Sequence, residues 1–265
     1  MNEITPWIER LARLGYASIG AVYAIIGIVT LSAALKRGGT EAGGASDAFN
    51  VILQQPFGRL LMFLVAAGMF GYAAWRYASA IKDSDHRGSD AKGLAIRTAS
   101  FFRGLFYTIL AWEAGRMALR DTASGADGNA TRHWTGRLME KPFGRTLALI
   151  AGLIVIGIGI YQMSRAWRSK LGKKLRIENV SADFRRHVVA ICRFGIAARA
   201  VVFLVIGYSI IKAGWKYRAS AAADTEQAFS LLRSTSQWLL AVVAIGFIAY
   251  GIYQFVNARY RLIQA

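Results

Sequence analysis

The sequence is poor in cysteine, proline and acidic side chains. A single cysteine, Cys192, excludes an internal disulfide framework and any cysteine-based zinc or iron–sulfur site. The chain has 27 glycines but only three prolines among its 265 residues. These counts exclude a proline-rich disordered chain and a collagen-like repeat. The chain has 15 acidic residues and 33 lysines and arginines, which gives a formal net charge of +18. Charged residues make up 18% of the chain, against roughly 25% in soluble domains.

The sequence patterns of common enzyme classes are also lacking. There is no phosphate-binding Gly-Lys-Ser/Thr loop and no Gly-x-Ser-x-Gly elbow. The histidines His86, His133 and His187 fall in predicted loops without a partner at metal-ligand spacing. We therefore expect no enzymatic activity, no metal and no cofactor. We also expect no nucleic-acid partner, because the basic residues flank apolar segments and no binding motif accompanies them.

Long apolar runs are what the sequence has instead. Crossing a bilayer takes a helix of about 20 largely apolar residues. Six segments are predicted to be transmembrane helices: residues 14–35, 60–81, 97–119, 146–164, 194–215 and 234–258. The first, fourth and sixth carry no charge. The third holds Arg103, Glu113 and Arg116, so its prediction depends on an internal repeat.

The repeat is a unit of two helices in three copies. The Arg-x-Gly pattern at Arg13 recurs 180 residues later at Arg193, and Pro-Phe-Gly-Arg at Pro56 recurs 86 residues later at Pro142. Because each unit has an even number of spans, all copies have the same orientation. The predicted fold is an all-α polytopic membrane protein with three parallel two-helix repeats and pseudo-threefold symmetry. The copies cover residues 10–82, 95–168 and 190–261.

These motifs resemble those of a bacterial integral-membrane family known as domain of unknown function 1206. Its two-helix unit opens with an Arg-x-Gly-Tyr type motif and continues to a Gly-Tyr-x-x-Trp type motif. The matching positions here are Arg13, Gly15, Tyr16, Tyr23, Gly71, Tyr72 and Trp75. The chain departs from the pattern at Ile19, which stands where the other copies have Arg103 and Arg199, and at Ser234–Gln237, which replaces Pro-Phe-Gly-Arg. The resemblance implies the architecture but no activity.

Small residues and tryptophans predict how the helices sit. Ala17, Gly20, Ala24 and Gly27 share one face of the first span, as expected for a close packing seam, and a pore lining is the alternative. All seven tryptophans lie near predicted helix ends, which is typical of an interfacial aromatic belt. They are Trp7, Trp75, Trp112, Trp134, Trp167, Trp215 and Trp238.

Basic residues predict the orientation. The face that carries both termini holds 18 of the 33 lysines and arginines, so both termini are predicted to be cytoplasmic in the plasma membrane. Two amphipathic stretches, residues 46–55 and 224–233, are then interfacial helices on the opposite face. Six basic residues after the fourth span are expected to bind anionic lipid headgroups, with an acidic protein partner as the alternative. They are Arg165, Arg168, Lys170, Lys173, Lys174 and Arg176.

Ionisable or amide side chains inside the spans are the candidate functional residues. Glu113 is expected to pair with Arg116, and a proton or cation site is the alternative. Arg103 and Arg199 occupy equivalent positions, and they either reach the headgroups or contact an anionic ligand. Arg76, Gln162 and Gln254 form a third equivalent set, which either bonds neighbouring helices or lines a vestibule.

Two functions are compatible with these features. The near-absence of polar residues in mid-span favours a non-enzymatic membrane scaffold or accessory protein. The parallel repeat and the polar set favour a channel or transporter for an ion or small solute, with a site near the pseudo-threefold axis.

Overall fold

The computed structural model describes residues 6–35, 45–81, 90–120, 143–168, 182–216 and 225–260. Within these ranges all regular structure is helical, which confirms the predicted all-α class. Eight helices follow one another along the described chain: α1 (Pro6–Leu35), α2 (Ala45–Leu53), α3 (Gly58–Ile81), α4 (Ala91–Arg120), α5 (Gly144–Arg168), α6 (Ala182–Lys216), α7 (Thr225–Thr235) and α8 (Gln237–Tyr260).

Five of the described helices are long and apolar enough to cross a membrane, as in a polytopic membrane protein. They are Ala12–Leu35 of α1, all of α3, all of α5, Arg185–Lys216 of α6, and all of α8. These correspond to the predicted first, second, fourth, fifth and sixth spans. The predicted third span is a continuous helix of 30 residues, α4, but it is not among the five. Its charged residues lower its average hydropathy, so the assignment of α4 as a membrane span stays a prediction.

The long helices pack in the spatial order α4, α3, α1, α8, α6 and α5. Neighbours run antiparallel, so α1, α4 and α6, the first helices of the three copies, point the same way. Each second helix packs on the first helix of another copy, as α3 does on α4, α5 on α6, and α8 on α1. Within a copy, α1 contacts α3 and α6 contacts α8, whereas α4 and α5 have no comparable contact in the described part of the chain.

Glycines bring the helices of different copies into backbone contact. A methyl group at Gly27 of α1 would lie 2.8 Å from the carbonyl oxygen of Ala244 in α8. At the equivalent position of the third copy, a methyl group at Gly207 of α6 would lie 3.0 Å from the carbonyl oxygen of Gly152 in α5. Because lipid provides no hydrophobic force between helices, such contacts supply the packing energy. The predicted small-residue seam is confirmed.

The opening arginines of the first and middle copies each cap the last turn of the second helix of another copy. Arg13 Nη1 donates to the carbonyl oxygens of Ala258 (2.7 Å) and Arg259 (2.8 Å) at the end of α8. Arg97, 84 residues later, donates through Nε to Ala80 O (2.8 Å) and through Nη2 to Ile81 O (2.9 Å) at the end of α3. These carbonyls have no hydrogen-bond partner inside their own helix, so the guanidinium supplies one. Its positive charge also interacts favourably with the negative end of the helix dipole.

The short helices α2 and α7 correspond to the two predicted amphipathic stretches. Their equivalent aromatic residues, Phe49 and Phe229, are turned inward and are fully buried. The Phe229 ring packs edge-on against Phe247 of α8, with centroids 5.1 Å apart. Both short helices therefore help to fill the same end of the bundle, where α1 ends and α8 begins.

The phenylalanine of the recurring Pro-Phe-Gly-Arg motif makes a left-handed turn just before α3 and just before α5. Phe57 has φ 60° and Phe143 has φ 66°, values that L residues other than Asn and Asp seldom adopt. The residue after Phe57 is Gly58, and a Cβ at this position would collide with the carbonyl oxygens of Ile52 and Leu53. The turn leaves both phenylalanine rings more than 80% exposed at the same end of the bundle.

Of the five tryptophan side chains that the structure describes, four are exposed, as an aromatic belt requires, and one is buried, so the prediction is wrong for it. Trp112, Trp167, Trp215 and Trp238 are exposed. Trp75 is 1% exposed and packs on Tyr16 and Tyr72, because the residues around it face the bundle interior. The Trp7 side chain and Trp134 lie outside the described residues.

We expect Gly27→Leu and Gly207→Leu each to lower the thermal unfolding temperature in detergent. Either side chain must separate two helices, and overpacking costs roughly 1–3 kcal/mol. Ile28→Leu is the matched control, because Ile28 is 54% exposed and adjoins Gly27. Glycine variants that melt together with this control would contradict the seam.

Candidate arginine–tyrosine site

Six polar and aromatic residues from five helices meet inside the bundle. We call them the arginine–tyrosine cluster: Tyr23 of α1, Tyr72 and Arg76 of α3, Tyr107 of α4, Arg199 of α6 and Tyr250 of α8. All three copies contribute. Tyr23 and Tyr107 occupy one repeat position, and Tyr72 and Tyr250 occupy another. The repeat thus places tyrosines at recurring positions, and the arginines differ from copy to copy.

Arg199 is the charged centre of this cluster. Its Nη1 donates to the Tyr250 hydroxyl at 2.6 Å, and its guanidinium carbon lies 5.1 Å from the Tyr23 ring centroid and 5.0 Å from that of Phe203. Its Nε is buried and has no hydrogen-bond partner among the described residues. The side chain therefore turns toward α8 inside the bundle, which differs from the expected extension to the headgroups. A hydroxyl and ring faces favour this inward rotamer.

Arg76 bonds a tyrosine of its own helix. Its Nε and Nη2 donate to the Tyr72 hydroxyl at 2.8 and 2.6 Å, and its guanidinium lies 4.3 Å from the Trp75 ring centroid. The side chain is 5% exposed. Tyr72 in turn packs edge-on against Tyr107 of α4 at 4.8 Å. Arg76 thus lies within a packed aromatic layer.

The two glutamines at the equivalent position have different surroundings. Gln254 is 3% exposed, and its Oε1 accepts a hydrogen bond from Asn257 Nδ2 at 3.1 Å. Its Nε2 is 3.5 Å from the Tyr250 hydroxyl. Gln162 of α5 is half-buried. The packing around Arg76 and Gln254 favours bonding between side chains over an open vestibule.

One residue assigned to the basic lipid-binding set faces the bundle. Arg165 Nη2 donates to the Tyr253 hydroxyl of α8 at 2.7 Å. Tyr253 occupies the same repeat position as Trp75. This recurrence is the feature of the sequence that indicates an aromatic residue near the end of α8. Arg168 is exposed at the end of α5. Lys170, Lys173, Lys174 and Arg176 lie outside the described residues.

The charge balance inside the bundle is one-sided. The five candidate spans contain no aspartate or glutamate in their sequences, whereas they include Arg76, Arg165 and Arg199. Hydroxyl groups and aromatic faces are the partners the structure gives to Arg199. Such an interior repels cations and suits an anion. No group of three or more metal-ligating side chains occurs in the described residues.

The candidate residues of α4 lie apart from the cluster. Glu113 Oε1 is 3.5 Å from Arg116 Nη1, and the two side chains are 26% and 38% exposed, beside the exposed Trp112. They therefore form the ion pair that their spacing predicts, outside the bundle interior. Arg103 is exposed and has no polar partner among the described residues.

Comparisons with known proteins agree with the repeat. Residues 14–83, 98–169 and 194–261 match the family described as Domain of Unknown Function (DUF1206). The chain is also 30% identical over 262 residues to an uncharacterized protein, YxxB, of Bacillus subtilis (strain 168). That similarity covers 98% of this chain and 94% of the relative. No solved structure matches.

We expect Arg199 and Tyr250 to be energetically coupled. Arg199→Gln and Tyr250→Phe should each destabilise the protein in detergent, and the double variant should lose less than the sum, because each single change leaves a buried polar group without its partner. Glu113→Gln with Arg116→Gln is the matched control cycle. As a half-exposed pair it should show a coupling below about 1 kcal/mol. Additive effects at Arg199 and Tyr250 would refute the coupling.

Proposed function

Because this chain belongs to the Domain of Unknown Function 1206 family, whose name carries no activity, we propose its function from its packing and charge. We infer a non-enzymatic scaffold or accessory protein of the plasma membrane, with six spans in three parallel repeats around a pseudo-threefold axis. The observation that carries this proposal is the filled, one-sidedly cationic interior.

The surface of α4 supports its assignment as the third of the six predicted spans. Phe102, Phe106, Ile109 and Trp112 are between 52% and 68% exposed and follow one another at intervals of three or four residues. This spacing gives an exposed apolar stripe along the helix. Its other side packs against α3, where a methyl group at Gly104 would lie 2.9 Å from the Tyr77 ring. A helix of this kind is stable when lipid covers the stripe.

The filled interior supports a scaffold over a channel. Tyr16, Met62, Trp75, Phe229 and Phe247 are among the largest fully buried side chains. Arg76 and Gln254, which a vestibule would expose to water, are at most 5% exposed. An enzyme also needs a nucleophile, a general base or a metal in a cleft. The described residues offer no such constellation around the cluster.

A channel or transporter is the second candidate, and one observation favours it. The buried Nε of Arg199 has no acceptor among the described residues, so a small anion with an oxygen or halide surface would complete its bonding. The absence of acidic residues from the five candidate spans argues against a proton or cation path.

The basic residues beyond the fourth span supply the proposed partner surface. The six lysines and arginines between 165 and 176 have no acidic neighbour in sequence. Arg165 bonds Tyr253 inside the bundle, so the other five form this surface. At the cytoplasmic face each basic residue contributes about 1 kcal/mol of attraction to anionic lipid. We propose anionic headgroups as the main partner, with an acidic protein surface as the alternative.

Flux measurements separate the two functions. We expect vesicles containing the purified protein to show the same proton, potassium and chloride permeability as empty vesicles, because the interior is packed. Chloride flux that is present in the native protein and absent in Arg199→Gln would establish the second candidate instead.

Labelling of single cysteines tests the six-span topology. In a Cys192→Ala background and in intact cells, a membrane-impermeant thiol reagent should modify Asp127→Cys and spare Lys173→Cys, because an odd number of spans lies between the cytoplasmic N-terminus and residue 127. Modification of both positions, or the reverse pattern, would rule out this topology.

A further inference from the structure

The middle copy lacks the contact that closes the other two. In the first copy, a methyl group at Gly15 of α1 would lie 2.5 Å from the Cβ of Tyr72 in α3. In the third, a methyl group at Gly195 of α6 would collide with the backbone of Tyr250 in α8. The corresponding residues of the middle copy are Ala99 and Ile158. Ala99 carries the methyl group for which those two interfaces have no room.

The residues around this position show that α4 and α5 stay apart. Ala99 is exposed, and Ile158 is 42% exposed, whereas Tyr72 and Tyr250 at its repeat position are buried. A methyl group at Gly157 would meet nothing within 4 Å, whereas the equivalent Gly71 and Ala249 are buried. Ala99 and Arg103 of α4 and Gly157 and Ile158 of α5 define what we call the α4–α5 opening.

Arg103 is the charged group of this opening. Its equivalent, Arg199, donates to the Tyr250 hydroxyl of the second helix in its own copy. In the middle copy that hydroxyl is missing, because Ile158 replaces the tyrosine. Arg103 consequently has no polar partner among the described residues and is exposed. It lies six residues, or about 9 Å, inside the predicted start of the span, within reach of the phosphate level.

We propose that one anionic phospholipid occupies the α4–α5 opening, with its phosphate on Arg103 and its acyl chains along the apolar sides of the two helices. The flanking residues Phe102 and Phe106 of α4 and Ile154 and Ile158 of α5 are exposed and apolar, as an acyl chain requires. A guanidinium binds phosphate oxygens in bidentate fashion. The charge selects an anionic lipid over a zwitterionic one. This inference rests on the proposed assignment of α4 as a span.

Native mass spectrometry tests the proposal. The full-length protein is reconstituted in bilayers of equal parts phosphatidylglycerol and phosphatidylcholine, extracted in mild detergent, and examined for retained lipid. We expect one phosphatidylglycerol per chain. Arg103→Gln should reduce its retention about tenfold, the effect of losing one charge-assisted contact. Arg186→Gln, at an exposed arginine of α6, is the matched control and should retain the lipid.

A second variant closes the opening without removing the charge. Ala99→Gly with Ile158→Tyr restores the residues that pack together in the other copies, so it should keep the protein folded and also release the lipid. Retention by Arg103→Gln equal to the native protein overturns the proposal. So does a native mass of two chains without lipid, which would show that a second copy covers the opening, or displacement of the lipid by millimolar inorganic phosphate. The cysteine labelling above reports the position of α4 separately, so failure of the six-span topology is distinguishable from failure of the lipid site.

Discussion

Close backbone approach at glycine is the interaction on which the structure depends. In a bilayer the apolar faces of two helices gain nothing by leaving lipid, so association relies on short-range packing and on polar contacts between helices. Glycines let α1 meet α8 and α6 meet α5, and the opening arginines of the first and middle copies cap the helices against which they pack. The arginine and glycine positions of the family motif are therefore positions of contact between helices.

The need for a polar partner also accounts for the different orientations of arginines at equivalent repeat positions. Arg199 has a tyrosine in its own copy and turns inward, whereas the middle copy has an isoleucine at that tyrosine's position and Arg103 stays exposed. In the first copy the arginine position is Ile19, and Tyr72 binds Arg76 from its own helix instead. Each tyrosine hydroxyl at this position thus has one guanidinium. The copy without the hydroxyl has an arginine left for an external anion.

The sequence was sufficient for the helices and for the seam, because apolar length and repeated spacing are properties of the chain itself. It was insufficient where the outcome depends on which helices are neighbours. The sequence predicts Arg165 at the surface, since nothing in the linear sequence indicates that α5 presents it to Tyr253 of α8. The position of Trp75 near a helix end predicts an interfacial residue, although the surrounding tyrosines bury it. The separation of α4 from α5 was also not predicted. The residues at positions 99 and 158 indicate this separation only when the close contact between Gly15 and Tyr72 in the first copy is known.

Disulfide cross-linking in native membranes tests this account most directly. In a Cys192→Ala background, Ala24→Cys with Gly251→Cys reports the α1–α8 interface, and Ala148→Cys with Gly214→Cys reports the α5–α6 interface. The corresponding Cβ positions are 3.0 and 3.3 Å apart, close to the spacing that a disulfide requires. Ala99→Cys with Ile158→Cys occupies the positions that are in contact in the other copies. The account predicts that the first two pairs cross-link under mild oxidation and that the third stays reduced. Efficient cross-linking of the third pair would show a closed middle copy and contradict it.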